Sequence, residues 1–236
     1  MSRFLSLVFL GLLLSVAQLA TAQKVIEKQA PVKAGQRVFL NLKQATNIRV
    51  RSGSGSEVTV KASVTINQGK LNDALLLAVD RTAEEVTVAS SFDEALLQTG
   101  QPSDCPGNGG TNWSQNKNGK SYSVCSDIQF EVTVPTGVAL RINTISGNIE
   151  INGVTAPIEA KSISGFVDVS WPASQHAEVA LKTITGEVYT DQEIAFVNRK
   201  ENPGPVGYQV RGTLGGSGPL VKLESISNDI YFRKRK

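Results

Sequence analysis

The sequence has few of the residue types on which most catalytic and metal sites depend. Its 236 residues include one histidine, His176, two cysteines and one methionine, and only 6% of residues are aromatic. A single histidine excludes a metal site with several histidine ligands and a catalytic arrangement that needs two. The Ser-Gly run at 52–56 lacks both the lysine and the following helix of a phosphate-binding loop. We therefore predict neither a metal nor a cofactor.

An excess of charge of one sign is also lacking. The chain has 24 Lys and Arg against 21 Asp and Glu, a formal net charge of +3. This balance gives no electrostatic reason to expect a nucleic-acid partner. The one charge cluster is the final Arg233-Lys234-Arg235-Lys236. We interpret it as a solvated end that keeps the last strand from pairing with other chains, in preference to an anchor for an anionic surface.

Long apolar runs are absent after the first 22 residues. Arg3 precedes an apolar run over 4–14, and Ala20-Thr21-Ala22 is typical of a signal-peptide cleavage site. The run is too short for a membrane-spanning helix, which needs about 20 apolar residues, and no cysteine follows it as a lipid anchor. We predict a signal peptide over 1–22, export to the periplasm, cell surface or extracellular space, and no membrane span once it is removed.

The C-terminal half contains one motif written four times, over 140–152, 158–170, 179–191 and 221–233. Each copy has a hydroxyl residue, an isoleucine, a second hydroxyl residue and a turn residue. The turn residues are Gly147, Gly165, Gly186 and Asn228. One period of about 20 residues fits all four copies if a further coil between the third and the fourth has diverged in sequence. A fixed period of this size predicts a solenoid.

Side-chain alternation within a copy predicts a strand, a corner and a second strand. The inward parity changes between Ser162 and Ile163, which predicts a bend there with Ile163 on the inward face. Glycine, or an asparagine in its place, suits a corner with positive φ, where β-branched residues are penalised.

We therefore predict a mainly β protein, a single-stranded parallel β-helix or β-solenoid with coils of about 20 residues. One domain would cover 23–236. Within it we expect an irregular, strand-rich N-terminal part over 25–99, a cysteine-bracketed insertion over 100–125 and regular repeats over 126–233.

The insertion is rich in Gly, Pro and Asn, and Cys105 and Cys125 bracket it. In an exported chain the two cysteines most simply form a disulfide; a metal site is the alternative, but two cysteines with no nearby histidine are too few ligands. Trp113 and Tyr122 are candidate contact aromatics in this loop. The simpler alternative is that the disulfide only restrains a long insertion.

Several of these features together resemble a known family. A signal peptide, alternating N-terminal strands, the turn at 134–138 (Val-Pro-Thr-Gly-Val) and repeated Ile-Ser-Gly corners are similar to the bacterial adhesin-like domains of unknown function. The resemblance covers about 35–233. It implies a β-solenoid in the bacterial cell envelope and supplies no catalytic residues. The chain departs from the pattern in its cysteine-bracketed insertion and at Asn228.

Two functions are consistent with these patterns. The repeat alignment places Glu150 and Asp168 at equivalent positions on adjacent coils, near the separation that retaining glycosidases use, so one hypothesis is a β-helix enzyme acting on polysaccharide. Acidic residues are common on an outward face, however, and no reactive cluster joins these two. We expect instead a non-catalytic adhesin-like binding or structural module, with an envelope polysaccharide or a protein as its partner.

Overall fold

Strands form most of the described chain, and alternating apolar residues mark nearly all of them. The computed structural model describes residues 23–106, 111–117, 119–197, 207 and 209–235, so the predicted signal peptide lies outside the described residues. In chain order, the strands are β1 (Lys24–Pro31), β2 (Arg37–Asn41), β3 (Asn47–Gly53), β4 (Glu57–Ile66), β5 (Leu75–Arg81), β6 (Glu85–Phe92), β7 (Thr111–Lys117), β8 (Lys120–Pro135), β9 (Leu140–Thr144), β10 (Asn148–Asn152), β11 (Ile158–Ser162), β12 (Val167–Trp171), β13 (Ala177–Thr183), β14 (Val188–Thr190), β15 (Ile194–Phe196), β16 (Gln209–Leu214), β17 (Leu220–Ser225) and β18 (Ile230–Lys234). A helical turn at Glu94–Leu97 and three 3₁₀ turns, Asn67–Gly69, Asn72–Ala74 and Pro102–Asp104, complete the described elements.

The strands form two sheets whose apolar faces pack against each other. Sheet A has the order β1-β4-β8-β3-β10-β12-β18-β14, with β7 paired to β8; sheet B has the order β15-β16-β13-β17-β11-β9-β2-β6-β5. Alternate residues of each central strand point inward, as strand geometry requires. The largest buried side chains include Trp171, Phe130 and Phe232. Trp171 and Phe232 meet at 6.4 Å between ring centroids.

The predicted solenoid is wrong. A solenoid stacks each coil on its neighbours in sequence, but here the fourth copy of the motif lies between the second and the third. Strand β17 pairs with β11 and β13, and β18 pairs with β12 and β14. Antiparallel pairs, such as β1 with β4 and β13 with β16, make both sheets mixed. The period identifies residues that occupy equivalent positions, but it does not identify which copies are neighbours.

The N-terminal part, predicted to be strand-rich and irregular, supplies strands β1 to β6 to the same two sheets. Strands β2 and β3 pair in parallel with β9 and β10, the strands of the first copy. The segment predicted as an irregular insertion is largely a hairpin, in which β7 runs antiparallel to the 16-residue β8. Strand β7 has the sequence TNWSQNK, which lacks alternating apolar residues. Hydrophobic periodicity therefore does not predict it as a strand.

Hydroxyl side chains hold the bends between the two sheets. In the second copy, Ser162 Oγ accepts a hydrogen bond from the Gly165 amide and donates one to the Gly147 carbonyl, both at 2.9 Å. Ser225 and Thr183 donate in the same way to the next bend along the sheet, at 2.9 and 2.8 Å. These hydroxyls are buried, and the bonds satisfy them while tying neighbouring strands together.

Close packing, and not backbone conformation, is what these bends require of glycine. The backbone at Gly147, Gly165 and Gly186 is not in the left-handed region, which corrects the reason predicted from the sequence. A Cβ added at Gly165 would lie 2.0 Å from the Gly147 carbonyl oxygen, and one at Gly186 would lie 2.2 Å from that of Asn228.

The isoleucines of the bends face outward, against our prediction for Ile163. Ile145 and Ile163 are 47% and 40% exposed. The Ile163 amide donates to the Ile145 carbonyl at 3.1 Å, so the two residues stack along the edge of the molecule. Ser162 and Gly165 are both buried, and the two residues between them are exposed. These two exposed residues produce the change in which alternate positions point inward.

Candidate ligand-binding surface

The outer face of sheet A carries a row of polar and aromatic side chains, one from each of six neighbouring strands. The strands pair in register, so equivalent outward residues lie about 4.8 Å apart. From β8 to β14 this first row is Glu131, Arg49, Glu150, Asp168, Tyr231 and Tyr189.

A second row lies two residues further along the same strands. Successive side chains of a strand alternate between faces, so a step of two returns to the outer face. From β8 to β18 this second row is Thr133, Arg51, Asn152, Ser170 and Arg233.

Glu150 and Asp168 are register partners on adjacent strands. Each already has partners of its own. Glu150 Oε1 accepts from Asn47 Nδ2 at 3.0 Å and lies 3.5 Å from Arg49 Nε. The Arg233 guanidinium binds both oxygens of Asp168, with Nε 3.0 Å from Oδ1. A retaining glycosidase needs one carboxyl group free to protonate the leaving oxygen and another free to attack, whereas arginines occupy both here.

An open groove of about 930 Å³ runs over the two rows. Four arginines line it: Arg49, Arg51, Arg233 and Arg235. Three carboxylates, those of Glu131, Glu150 and Asp168, line it as well. Neutral hydrogen-bonding groups make up the rest of its polar lining, namely Ser52, Thr136, Asn152, Thr155 and Ser170.

Two of the groove arginines form no ion pair with any described residue, Arg51 and Arg235. Arg51 Nε donates only to the neutral Thr133 Oγ1, at 3.3 Å. The backbone amide of Arg235 donates to the Trp171 carbonyl at 2.9 Å, which fixes the start of its side chain. Its guanidinium lies over Gly153, where an added Cβ would be 3.3 Å from Nη1.

Aromatic side chains lie at the β14 end of the first row. The rings of Tyr189 and Tyr231 stack at 5.2 Å with an interplanar angle of 12°, and Phe166 meets Tyr231 edge to face at 6.0 Å. A hydrogen bond from Tyr189 to Glu187 raises the pKa of Tyr189 to about 12, and one to Asp229 raises the pKa of Tyr231. Both phenols therefore stay neutral at physiological pH. Tyr189 remains 45% exposed, as a flat apolar surface beside the charged groove.

The predicted disulfide is confirmed. Cys105 and Cys125 are bonded, with their Cα atoms 5.6 Å apart. Trp113 packs on Phe92 at 5.8 Å between ring centroids. Tyr122 is only 2% exposed and donates to Gln115 Oε1 at 2.6 Å. Neither aromatic lines the groove.

Sequence reasoning missed the arginines of the groove. Arg49 and Arg51 are the outward residues of β3, alternating with the inward Ile48 and Val50, so alternation alone could have placed them on one face. The C-terminal basic cluster was interpreted as a solvated end, yet two of its arginines line the groove. The alternation in β3 and the C-terminal basic cluster were both visible in the sequence, but neither belongs to a recognised ligand-binding motif.

Within the part of the chain that the structure describes, no helix is both long and apolar enough to cross a bilayer. The same residues contain no group of three His, Cys, Asp or Glu side chains placed to share a metal ion. The disulfide indicates an extracellular or envelope location, since such bonds persist in oxidising compartments.

No family model and no curated protein matches the chain. Two solved structures are similar to it. A "putative cell adhesion protein" from Clostridium sporogenes has a TM-score of 0.49 at 11% identity, over 90% of this chain and 100% of that one. A "putative adhesin" from Bacteroides fragilis has a TM-score of 0.31 at 11% identity, over 90% and 97% of the two chains. Likenesses this distant leave the function to be inferred from the chain's own side chains.

Proposed function

We propose that the protein is an exported, non-catalytic adhesin-like module of the bacterial cell envelope, and that the outer face of sheet A binds an extended polysaccharide. The observation that carries the proposal is the groove of about 930 Å³, lined by eight of the eleven outward side chains of the two in-register rows. Strands are stiffer supports than loops, so the groups in these rows keep fixed spacings.

The shape of the surface favours a polymer over a small molecule. The groove crosses strands β8, β3, β10, β12 and β18, and the tyrosine stack continues the first row onto β14. A small ligand is usually enclosed in a pocket that buries most of its surface, whereas this groove lies open along the sheet. Tyr189 offers a flat ring to the apolar face of a sugar.

The arginine partners of Glu150 and Asp168 support binding over cleavage. Each carboxylate is held by a guanidinium at the edge of the groove. In a binding surface, such pairs fix the directions of the arginines. In a glycosidase they would have to separate before either carboxylate could act.

A binding screen with product analysis tests this function. The purified protein is titrated with envelope polysaccharides and peptidoglycan fragments, and the same samples are examined for cleavage products. We expect binding without cleavage. Substitution Tyr189→Ala should weaken binding by several-fold to about tenfold, because it removes an exposed aromatic surface.

Leu76→Ala is the matched control, because Leu76 is 48% exposed and lies on sheet B. Unchanged affinity in the Tyr189 variant would place the binding surface elsewhere. Cleavage that disappears in a folded Glu150→Gln, Asp168→Asn double variant would favour the enzyme hypothesis.

A further inference from the structure

We infer that the groove selects polymers that carry oxyanions, as carboxylate or phosphate groups, and that the oxyanion binds over the second row. This inference rests on the proposed function, since it specifies the chemistry of the polymer that the same surface would hold.

The first step is the order of residues in the second row. Across the four adjacent strands β3, β10, β12 and β18, the register partners are Arg51, Asn152, Ser170 and Arg233. An arginine stands at each end, of which Arg51 is unpaired and Arg233 is bound to Asp168, and two neutral side chains lie between them. Three strand spacings separate the ends by about 14 Å of backbone, a gap into which the unpaired Arg51 side chain can extend.

The second step is the balance of charge. Glu150 and Asp168 lie in the first row and are paired to Arg49 and Arg233. These pairs leave Arg51 and Arg235 without a described carboxylate partner. The third acid of the groove, Glu131, forms no ion pair with a described residue and lies in the first row, where its register partners are Arg49 on β3 and Lys61 on β4. The positive charge that remains for a ligand is therefore concentrated on Arg51 of the second row and on Arg235 beside it.

The third step is the kind of donor. A guanidinium presents a planar fork of N–H groups that matches the two oxygens of a carboxylate or phosphate, and it is weakly hydrated compared with an ammonium. The Asn152 amide and the Ser170 hydroxyl add neutral donors on the floor between the arginines. Gly153 leaves room for the Arg235 guanidinium, because its hydrogen stands where a Cβ would approach Nη1 to 3.3 Å. A neutral sugar would not need two unpaired guanidinium groups.

The test compares charged and neutral polymers on the whole protein. Affinities are measured by calorimetry for polygalacturonate, which carries carboxylates, for poly(glycerol phosphate), which carries phosphates, and for neutral dextran. We expect at least one polyanion to bind about tenfold or more tightly than dextran. The tighter of the two polyanions identifies the source of the oxyanion.

Single variants then locate the contact. Arg51→Gln and Arg235→Gln should each weaken polyanion binding about tenfold, the loss expected for a charge-assisted hydrogen bond. Arg81→Gln is the matched control, because Arg81 is an exposed arginine at the end of β5 on sheet B and its loss changes the net charge equally. Since all three side chains are exposed, thermal unfolding should be alike in the three variants.

Lysine substitutions separate a specific site from general attraction. Arg51→Lys and Arg235→Lys keep the charge but lose the fork, so they should still lose most of the affinity. Full affinity in the lysine variants, or equal binding of dextran and both polyanions, would overturn the inference while leaving the proposed function in place. Failure to bind any polymer, here and in the wider screen, would overturn both.

Discussion

Gly165 lies where the backbone of the second motif copy meets that of the first. Its amide donates to Ser162, whose hydroxyl donates to the Gly147 carbonyl, and Ser225 donates to the Gly165 carbonyl. Three consecutive bends along the sheet are thus linked through Ser162 and Gly165. The neighbouring carbonyl of Gly147 occupies the space that any larger side chain would need. At this position the sequence is constrained by the distance between two strands.

Substitution Gly165→Ala should destabilise the protein by about 3 kcal/mol, because the added methyl group forces apart two buried backbones or breaks the Ser162 hydrogen bond. Urea unfolding at neutral pH measures the loss. Gly55→Ala is the control, since a Cβ there would approach nothing closer than Glu57 N at 3.9 Å. Equal stability of the two variants would show that the bend relaxes at little cost.

The bend glycines show how much the sequence alone can predict about a single residue. Aligning the four copies identifies the glycines as equivalent, and they do occupy equivalent bends. The physical cause was misjudged, because positive φ is a property of one residue whereas close approach depends on a partner. For Gly165 that partner is 18 positions earlier in the chain, and for Gly186 it is Asn228, 42 positions later.

Among the elements, the hairpin of β7 and β8 has the most unusual support. The disulfide joins the end of the 3₁₀ turn at Pro102–Asp104 to β8. The buried Asn67 side chain accepts from the Cys125 amide at 2.9 Å and donates to the Ser123 carbonyl at 3.0 Å. The hairpin is thus held by side-chain and covalent links as well as by its strand pairing.

Replacing both cysteines by serine should lower the free energy of unfolding by about 3 kcal/mol, the chain-entropy value for a loop of this length. The fold should persist, because β8 pairs with β3 and β4 beyond the loop. Urea unfolding gives the stability, and titration with the polymer bound by the wild type gives the affinity. We expect unchanged affinity, since neither cysteine lines the groove. A folded variant that no longer binds would place this hairpin in the binding site.

The sequence predicts the presence of a strand wherever one face of that strand is buried. In β4, every second residue from Val58 to Ile66 is buried, and the same alternation is visible in the sequence. Polar β7 and the antiparallel direction of β16 were not predictable in this way, because alternation reports burial of one face and not the direction of the neighbouring strand.

At the scale of the molecule, the order of strands determines the binding surface. The groove arginines come from β3 and from the C-terminal end of the chain, and they face each other only because β10 and β12 lie between β3 and β18. The four copies of the motif have similar sequences, so sequence similarity does not indicate which copies form neighbouring strands. Their period therefore cannot decide which copy β18 joins, and the sequence alone could not bring Arg51 and Arg233 into one row.

The same strand order predicts how the protein responds to shortening. Removing 219–235 takes β17 from the middle of sheet B and β18 from its place beside the edge strand of sheet A, and it leaves β11 separated from β13, and β12 from β14. We expect loss of cooperative thermal unfolding and rapid proteolysis. In a solenoid, by contrast, removal of a terminal coil leaves the remaining stack intact. Removing 23–31 is the matched control, because the edge strand β1 pairs only with β4 and is largely exposed. If the C-terminally shortened protein still unfolds cooperatively and resists proteolysis, the fourth copy does not lie between the second and the third.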